Sequence, residues 1–66
     1  MQVTLNGERR ELTDGTTISG LLETLQVSPE RVVVEVNLTI LKRSEHRDAV
    51  LEAGDTVEIV RFVGGG

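Results

Sequence analysis

Near its start the chain contains Gln2-Val3-Thr4-Leu5-Asn6-Gly7, in which apolar and polar side chains alternate up to an Asn-Gly pair. Alternation with a period of two is typical of a strand with one buried face. Asn-Gly is the strongest short-range signal for a tight hairpin, because both central residues of a type I′ turn need a positive φ. The sequence therefore predicts a β-hairpin. Its return strand, from about Glu8 to Leu12, is mostly charged, as is typical of an edge strand.

A helix is predicted after the turn at Asp14-Gly15. Apolar residues recur there at i, i+3, i+4 and i+7, which places them on one helical face: Ile18, Leu21, Leu22 and Leu25. Thr16 or Thr17 is the expected N-cap. Gly20 costs about 1 kcal/mol relative to Ala inside a helix, and we expect it to permit close packing against the sheet.

The remaining elements are extended. Val32 to Val36 is the most β-prone segment, and its three consecutive valines predict a strand buried on both faces and central in the sheet. A short strand is expected at Ile40-Leu41 and one helical turn within residues 44–49. The final strand is expected from Thr56 to Val63. This order predicts an α+β fold, a mixed sheet with one main helix packed on one face, in a domain of residues 1–63 with a flexible glycine tail of residues 64–66.

Composition excludes several functions. The 66 residues include 7 Lys+Arg and 11 Asp+Glu, a net charge of −4. This acidic balance is unfavourable for nucleic acid and for an anionic membrane surface. Phe62 is the sole aromatic residue, which leaves no stacking platform for bases. We expect a cytoplasmic protein that is monomeric when free.

The sequence offers little for catalysis or metal binding. Cysteine is absent, and the one histidine, His46, lies in a charged stretch without a second His to join it. We interpret His46 as an ordinary surface residue, and we expect no intrinsic catalytic residue, no metal site and no bound cofactor.

The most informative feature is the end of the chain, Val63-Gly64-Gly65-Gly66. Three extended residues reach about 10–11 Å, and glycines without a Cβ can pass through a narrow channel in a partner protein. Gly66 would bring a carboxylate there. An ATP-using enzyme could convert it to an acyl-adenylate, and a sulfur or nitrogen nucleophile could then displace AMP. The tail therefore predicts a carrier or a tag on which other proteins act.

Residues beside this tail are candidates for partner docking. Side chains alternate between the two faces of a strand, so if Val57 faces the core, Val60 and Phe62 lie on the other face. They are expected to be partly exposed and to contact a partner, with Arg61 and Arg43 adding charge complementarity. The alternative is that Val60 and Phe62 cap a second small core.

The combination of Val3 to Gly7, Val34-Glu35-Val36-Asn37, Gly54-Asp55 and Val63 to Gly66 is similar to a known pattern. Through these residues nearly the whole chain resembles the ThiS family, the small ubiquitin-like sulfur carriers of thiamine biosynthesis. The family often has Pro where Lys42 stands here. The resemblance implies a β-grasp fold and adenylation of Gly66 by a ThiF-type enzyme that uses MgATP. It further implies sulfur delivery by a persulfide protein and transfer of the thiocarboxylate sulfur to a thiazole synthase of the ThiG type.

Three alternatives remain open at this point. The molybdopterin synthase small subunit is a sulfur carrier with the same fold and a terminal Gly-Gly, although it is usually longer and richer in aromatic residues. A protein modifier joined to lysines through Gly66 would use the same activated carboxylate. A binding module with an inert tail would use none of this chemistry.

Overall fold

The computed structural model describes residues 1–62, which form one sheet with a helix against one of its faces. The elements are β1 (Gln2–Leu5), β2 (Glu8–Glu11), α1 (Ile18–Thr24), β3 (Val32–Val36), β4 (Thr39–Leu41) and β5 (Thr56–Arg61). Single 3₁₀ turns cover Pro29–Arg31 and Arg43–Glu45. The predicted end of the last strand at Val63 and the predicted tail of residues 64–66 lie outside the described residues.

The five strands are ordered β2-β1-β5-β3-β4. Strand β5 runs parallel to β1 and antiparallel to β3, and the two outer pairs are antiparallel. The predicted mixed sheet with one main helix is therefore confirmed. The prediction that Val32 to Val36 forms the central strand is wrong, because β5 occupies that position. In β3, Val32 and Val34 on one face are buried, whereas Val33 and Glu35 on the other face are half-buried.

The first hairpin forms as its Asn-Gly pair predicts. Asn6 and Gly7 have φ values of 48° and 84°, as a type I′ turn requires. The Asn6 side chain also accepts a hydrogen bond from the Ile59 N–H at 2.8 Å, which ties this turn to β5. Strand β2 is an edge strand, and all four of its residues are exposed.

Helix α1 begins after Thr17, whose hydroxyl accepts a hydrogen bond from the Gly20 N–H at 3.1 Å. Its apolar face buries Ile18, Leu21 and Leu22 against the sheet. The expectation that Gly20 permits close packing against the sheet is wrong. Within the described part of the chain, a Cβ at Gly20 would meet only the Thr17 hydroxyl oxygen, at 3.4 Å.

The hydrophobic core lies between α1 and one face of the sheet. Its buried members come from the helix, from three strands and from the segment before β5: Val3, Leu5, Ile18, Leu21, Leu22, Val32, Val34, Leu51 and Val57. Residues 1–62 contain no helix that is both long and apolar enough to cross a membrane. The second face of the sheet carries no helix in the described structure, so we refer to it as the open face.

Candidate interaction surface at the end of the last strand

The side chains of β5 alternate between the core and the open face. Val57 is fully buried and Ile59 is half-buried against the core. Val60 exposes 59% of its surface, and Phe62, which follows the strand, exposes 64%. The predicted exposure of these two residues is confirmed, and the alternative that they cap a second small core is contradicted.

The backbone of Phe62 is held although its side chain is exposed. In the β3–β5 ladder Val32 lies opposite Arg61, and the next residue, Phe62, donates its N–H to the carbonyl of Arg31 at 3.0 Å. Hydrogen bonding therefore continues one residue past the strand. An exposed ring on a fixed backbone loses less conformational freedom on binding than one on a loose segment.

The predicted docking residues do not all share one surface. Phe62 and Arg43 line one shallow groove, and Phe62 and Arg61 line another. Val60 lines a third groove, on the open face. Phe62 is thus the residue that connects the two arginines.

Sequence reasoning missed Arg31, which lines the same groove as Arg61 and Phe62. Its position beside Phe62 follows from the register of β3 on β5, which no local sequence pattern predicts. Within residues 1–62, no carboxylate lies within 4.0 Å of the side-chain nitrogens of Arg31, Arg43 or Arg61. The three guanidinium groups are therefore available to an acidic partner, in a chain that is acidic as a whole.

His46 is buried, and the interpretation that it is an ordinary surface residue is wrong. It exposes 4% of its surface, and neither imidazole nitrogen has a hydrogen-bond partner in the described structure. The loop after β4 folds against the start of α1, where the Ser19 N–H donates to the His46 carbonyl at 3.0 Å. Burial lowers the pKa of His46, and the nearby charge of Arg43 lowers it further, while Glu45 acts in the opposite direction.

The remaining predicted site residues, Gly64, Gly65 and Gly66, lie outside the described residues. Within the described part of the chain, no group of three or more His, Asp or Glu residues is placed to hold a metal ion. Within residues 1–62, the hydroxyl hydrogen bonds of Thr16 and Thr17 involve backbone groups, and no Ser or Thr hydroxyl is hydrogen-bonded to a His, Asp or Glu side chain. The described surface is suited to contact with another protein.

Fold and surface together define a β-grasp domain with exposed apolar and basic residues where its central strand ends. The chain belongs to the ThiS family, whose model matches residues 3–66. A crystal structure of the thiamine biosynthesis protein ThiS from Geobacter metallireducens superposes with a TM-score of 0.86 at 33% identity, with 100% of both chains covered.

The relatives similar in sequence include a sulfur carrier and thiazole synthases. The sulfur carrier protein ThiS of Bacillus subtilis is 40% identical over 53 residues, which cover 80% of each chain. A thiazole synthase of Magnetococcus marinus is 42% identical over 66 residues, which is 100% of this chain. The chain spans 20% of the length of the thiazole synthases that it matches.

Proposed function

We propose that the chain is a sulfur carrier of thiamine biosynthesis, and that the Gly66 carboxylate is the group that carries the sulfur. The observation that carries this proposal is the match to the ThiS family, which extends through the glycine tail to residue 66. The similarity to the Bacillus subtilis sulfur carrier supports the same reading.

The chemistry proposed for Gly66 has two steps. In the first, a ThiF-type enzyme binds MgATP, the carboxylate attacks the α-phosphate, and pyrophosphate leaves as the acyl-adenylate forms. In the second, sulfide attacks the carbonyl carbon and AMP leaves, which gives the thiocarboxylate. A persulfide protein reaches the same product if a thiol reduces the S–S bond of the acyl disulfide that first forms.

The folded part of the chain would supply the binding energy for these encounters. Ordering three tail residues in a channel costs about 1–2 kcal/mol each. Burying the exposed Phe62 and Val60 against a partner returns about 1.5–3 kcal/mol for each side chain, and Arg43 and Arg61 add charge complementarity. Docking of this surface would offset the cost of ordering the tail.

The acceptor of the sulfur is proposed to be a thiazole synthase of the ThiG type. In the Magnetococcus marinus thiazole synthase, a segment similar to this entire chain is part of the synthase polypeptide. Such an arrangement keeps a carrier-like domain at high effective concentration near its acceptor. The same encounter between separate chains would depend on the docking surface.

Intact mass spectrometry tests the proposal. The purified chain is incubated with the activating enzyme of the same organism, ATP and sulfide, and a variant that lacks Gly66 is the matched control. We expect the full chain to gain the mass difference between one sulfur and one oxygen, in an ATP-dependent manner, and the control to remain unchanged. Equal labelling of the control, or no ATP-dependent change in the full chain, would contradict the assignment of Gly66.

A further inference from the structure

Two glutamates face each other in the middle of the open face. In the antiparallel β3–β5 pair, Glu35 lies directly opposite Glu58. Residues directly opposite on neighbouring strands have their Cβ atoms about 4.5–5.5 Å apart, on the same face of the sheet. Glu58 is exposed and Glu35 is half-buried, so both carboxylates meet the same solvent-facing surface.

This juxtaposition does not stabilise the fold. Like charges directly opposite each other on neighbouring strands are destabilising. Within residues 1–62, no Lys, Arg or His nitrogen lies within 4.0 Å of either carboxylate. By strand register, Arg9 on this face lies two strands away from β5, and Lys42 lies beyond the end of β4. The pair therefore lacks an internal counter-ion in the described structure.

Apolar side chains flank the two carboxylates on two sides, whereas Asn37 and Thr56 also line the groove that contains them. Val33 and Val60 lie opposite each other on one side of the pair, and Ile40 lies opposite Glu35 on the other flank. Ile40 exposes 64% of its surface, and Leu38, in the turn between β3 and β4, exposes 89%. Val33, Val60 and Leu38 line a groove of about 690 Å³ together with both glutamates. The open face thus combines a negative centre with an apolar rim on two sides.

We propose that this face binds a thiazole synthase by receiving one of its arginine or lysine side chains between Glu35 and Glu58. This inference rests on the proposed function. The planar guanidinium of an arginine can donate to two carboxylates at once, and the apolar rim would exclude water from the contact, which strengthens it. An uncompensated carboxylate pair supplies the charge complementarity that selects a basic partner.

The occupant is argued from charge and from the relatives. A second copy of this chain would bring four carboxylates together, so self-association through this face is unfavourable. The synthase is preferred over the activating enzyme because a carrier-like segment and a synthase share one polypeptide in Magnetococcus marinus. In that polypeptide the carrier-like segment and the synthase stay close together, so the open face of the segment can contact the synthase repeatedly.

The test compares stability with binding in the same variants. Glu58→Gln and Glu35→Gln each remove the like-charge contact, so each is expected to raise the melting temperature by about 1–4 °C. Each is also expected to weaken binding to the purified thiazole synthase of the same organism by at least about tenfold, measured by titration calorimetry. Glu58→Lys forms an internal pair with Glu35, and it is expected to raise stability and abolish measurable binding.

Glu52→Gln is the matched control, because it removes the same charge at an exposed position outside the open face. It is expected to leave binding within about twofold of the wild type. If Glu58→Gln and Glu35→Gln both bind the synthase as tightly as the wild type does, this inference is overturned and the proposed function is not. Weakened binding to the activating enzyme but not to the synthase would overturn the choice of occupant. A synthase that does not bind the wild type would overturn both this inference and the proposed acceptor, whereas sulfur loading of Gly66 is measured independently by mass.

Discussion

At the scale of single residues, Phe62 combines an exposed ring with a backbone held by a hydrogen bond. Its ring is 64% exposed, while its N–H donates to the Arg31 carbonyl, a backbone contact that alanine at this position preserves. Phe62→Ala is therefore expected to weaken partner binding by about 10–100-fold, the loss of about 1.5–3 kcal/mol of burial, with little change in melting temperature. Titration calorimetry and thermal melts measure the two effects.

Val50→Ala is a suitable control, since Val50 is also exposed (57%) and lines none of the grooves that contain Phe62. A Phe62→Ala protein that melts much earlier and binds normally once folded would show that the ring supports the core instead.

His46 makes a residue-scale prediction about pH. Burial lowers its pKa in the folded state below the ordinary value of 6.5, so the unfolded chain binds the proton more readily. Stability is expected to be full above about pH 6.5 and to fall as the pH drops below it, with a limiting slope of about 1.4 kcal/mol per pH unit.

Denaturant unfolding between pH 7.5 and pH 5.5 measures this effect. His46→Leu is the comparison, because leucine fills the buried position with a side chain that cannot be protonated. The variant is expected to have a flatter profile across that window. Parallel profiles for the two proteins would contradict the assignment of the pH dependence to His46.

At the scale of elements, the β3–β4 turn carries a conformational strain at Leu38. Asn37 and Leu38 have φ values of 49° and 71°, a region that costs a residue with a Cβ about 1–2 kcal/mol. Glycine adopts this region without steric cost. Its greater conformational freedom in the unfolded chain, however, lowers the free energy of unfolding by about 0.5–1 kcal/mol. Leu38→Gly is therefore expected to raise the free energy of unfolding by about 0–1 kcal/mol, as measured by denaturant unfolding.

The same substitution is expected to weaken binding to the synthase, because it removes an 89% exposed leucine from the rim of the open face. Leu38→Ala keeps the strained backbone and removes most of the side chain, so it should lose binding without gaining stability. A loss of stability in Leu38→Gly would show that the leucine side chain supports the turn.

Elements governed by local chemistry could be predicted, whereas those that depend on strand register could not. The Asn6-Gly7 pair and the leucine stripe of α1 correctly predicted a turn and a helix. The alternation of side chains along β5 correctly predicted that Phe62 is exposed. The central position of β5, the burial of His46 and the placement of Glu35 opposite Glu58 all arise from interactions between distant segments. A window of ten residues carries no information about such pairing.

At the scale of the whole molecule, the core and the proposed reactive group are separate. The buried apolar side chains of residues 1–62 lie between Val3 and Val57, whereas the proposed sulfur-carrying carboxylate belongs to Gly66. The surfaces proposed to face partners are the open face and the grooves around Phe62. Substitutions in the tail should therefore change reactivity without changing the core contacts.

Gly65→Val tests this separation. The branched side chain leaves the buried contacts of residues 3–57 unchanged, so the melting temperature is expected to remain within about 1 °C of the wild type. It would prevent close approach of the tail to the walls of a narrow channel. The rate of ATP-dependent adenylation, measured as pyrophosphate release, is therefore expected to fall at least about tenfold. Gly65→Ala adds a single methyl group and should fall between the two. Equal rates for all three proteins would show that the activating enzyme does not enclose the tail, and a large fall in melting temperature would show that residue 65 contributes to the folded core.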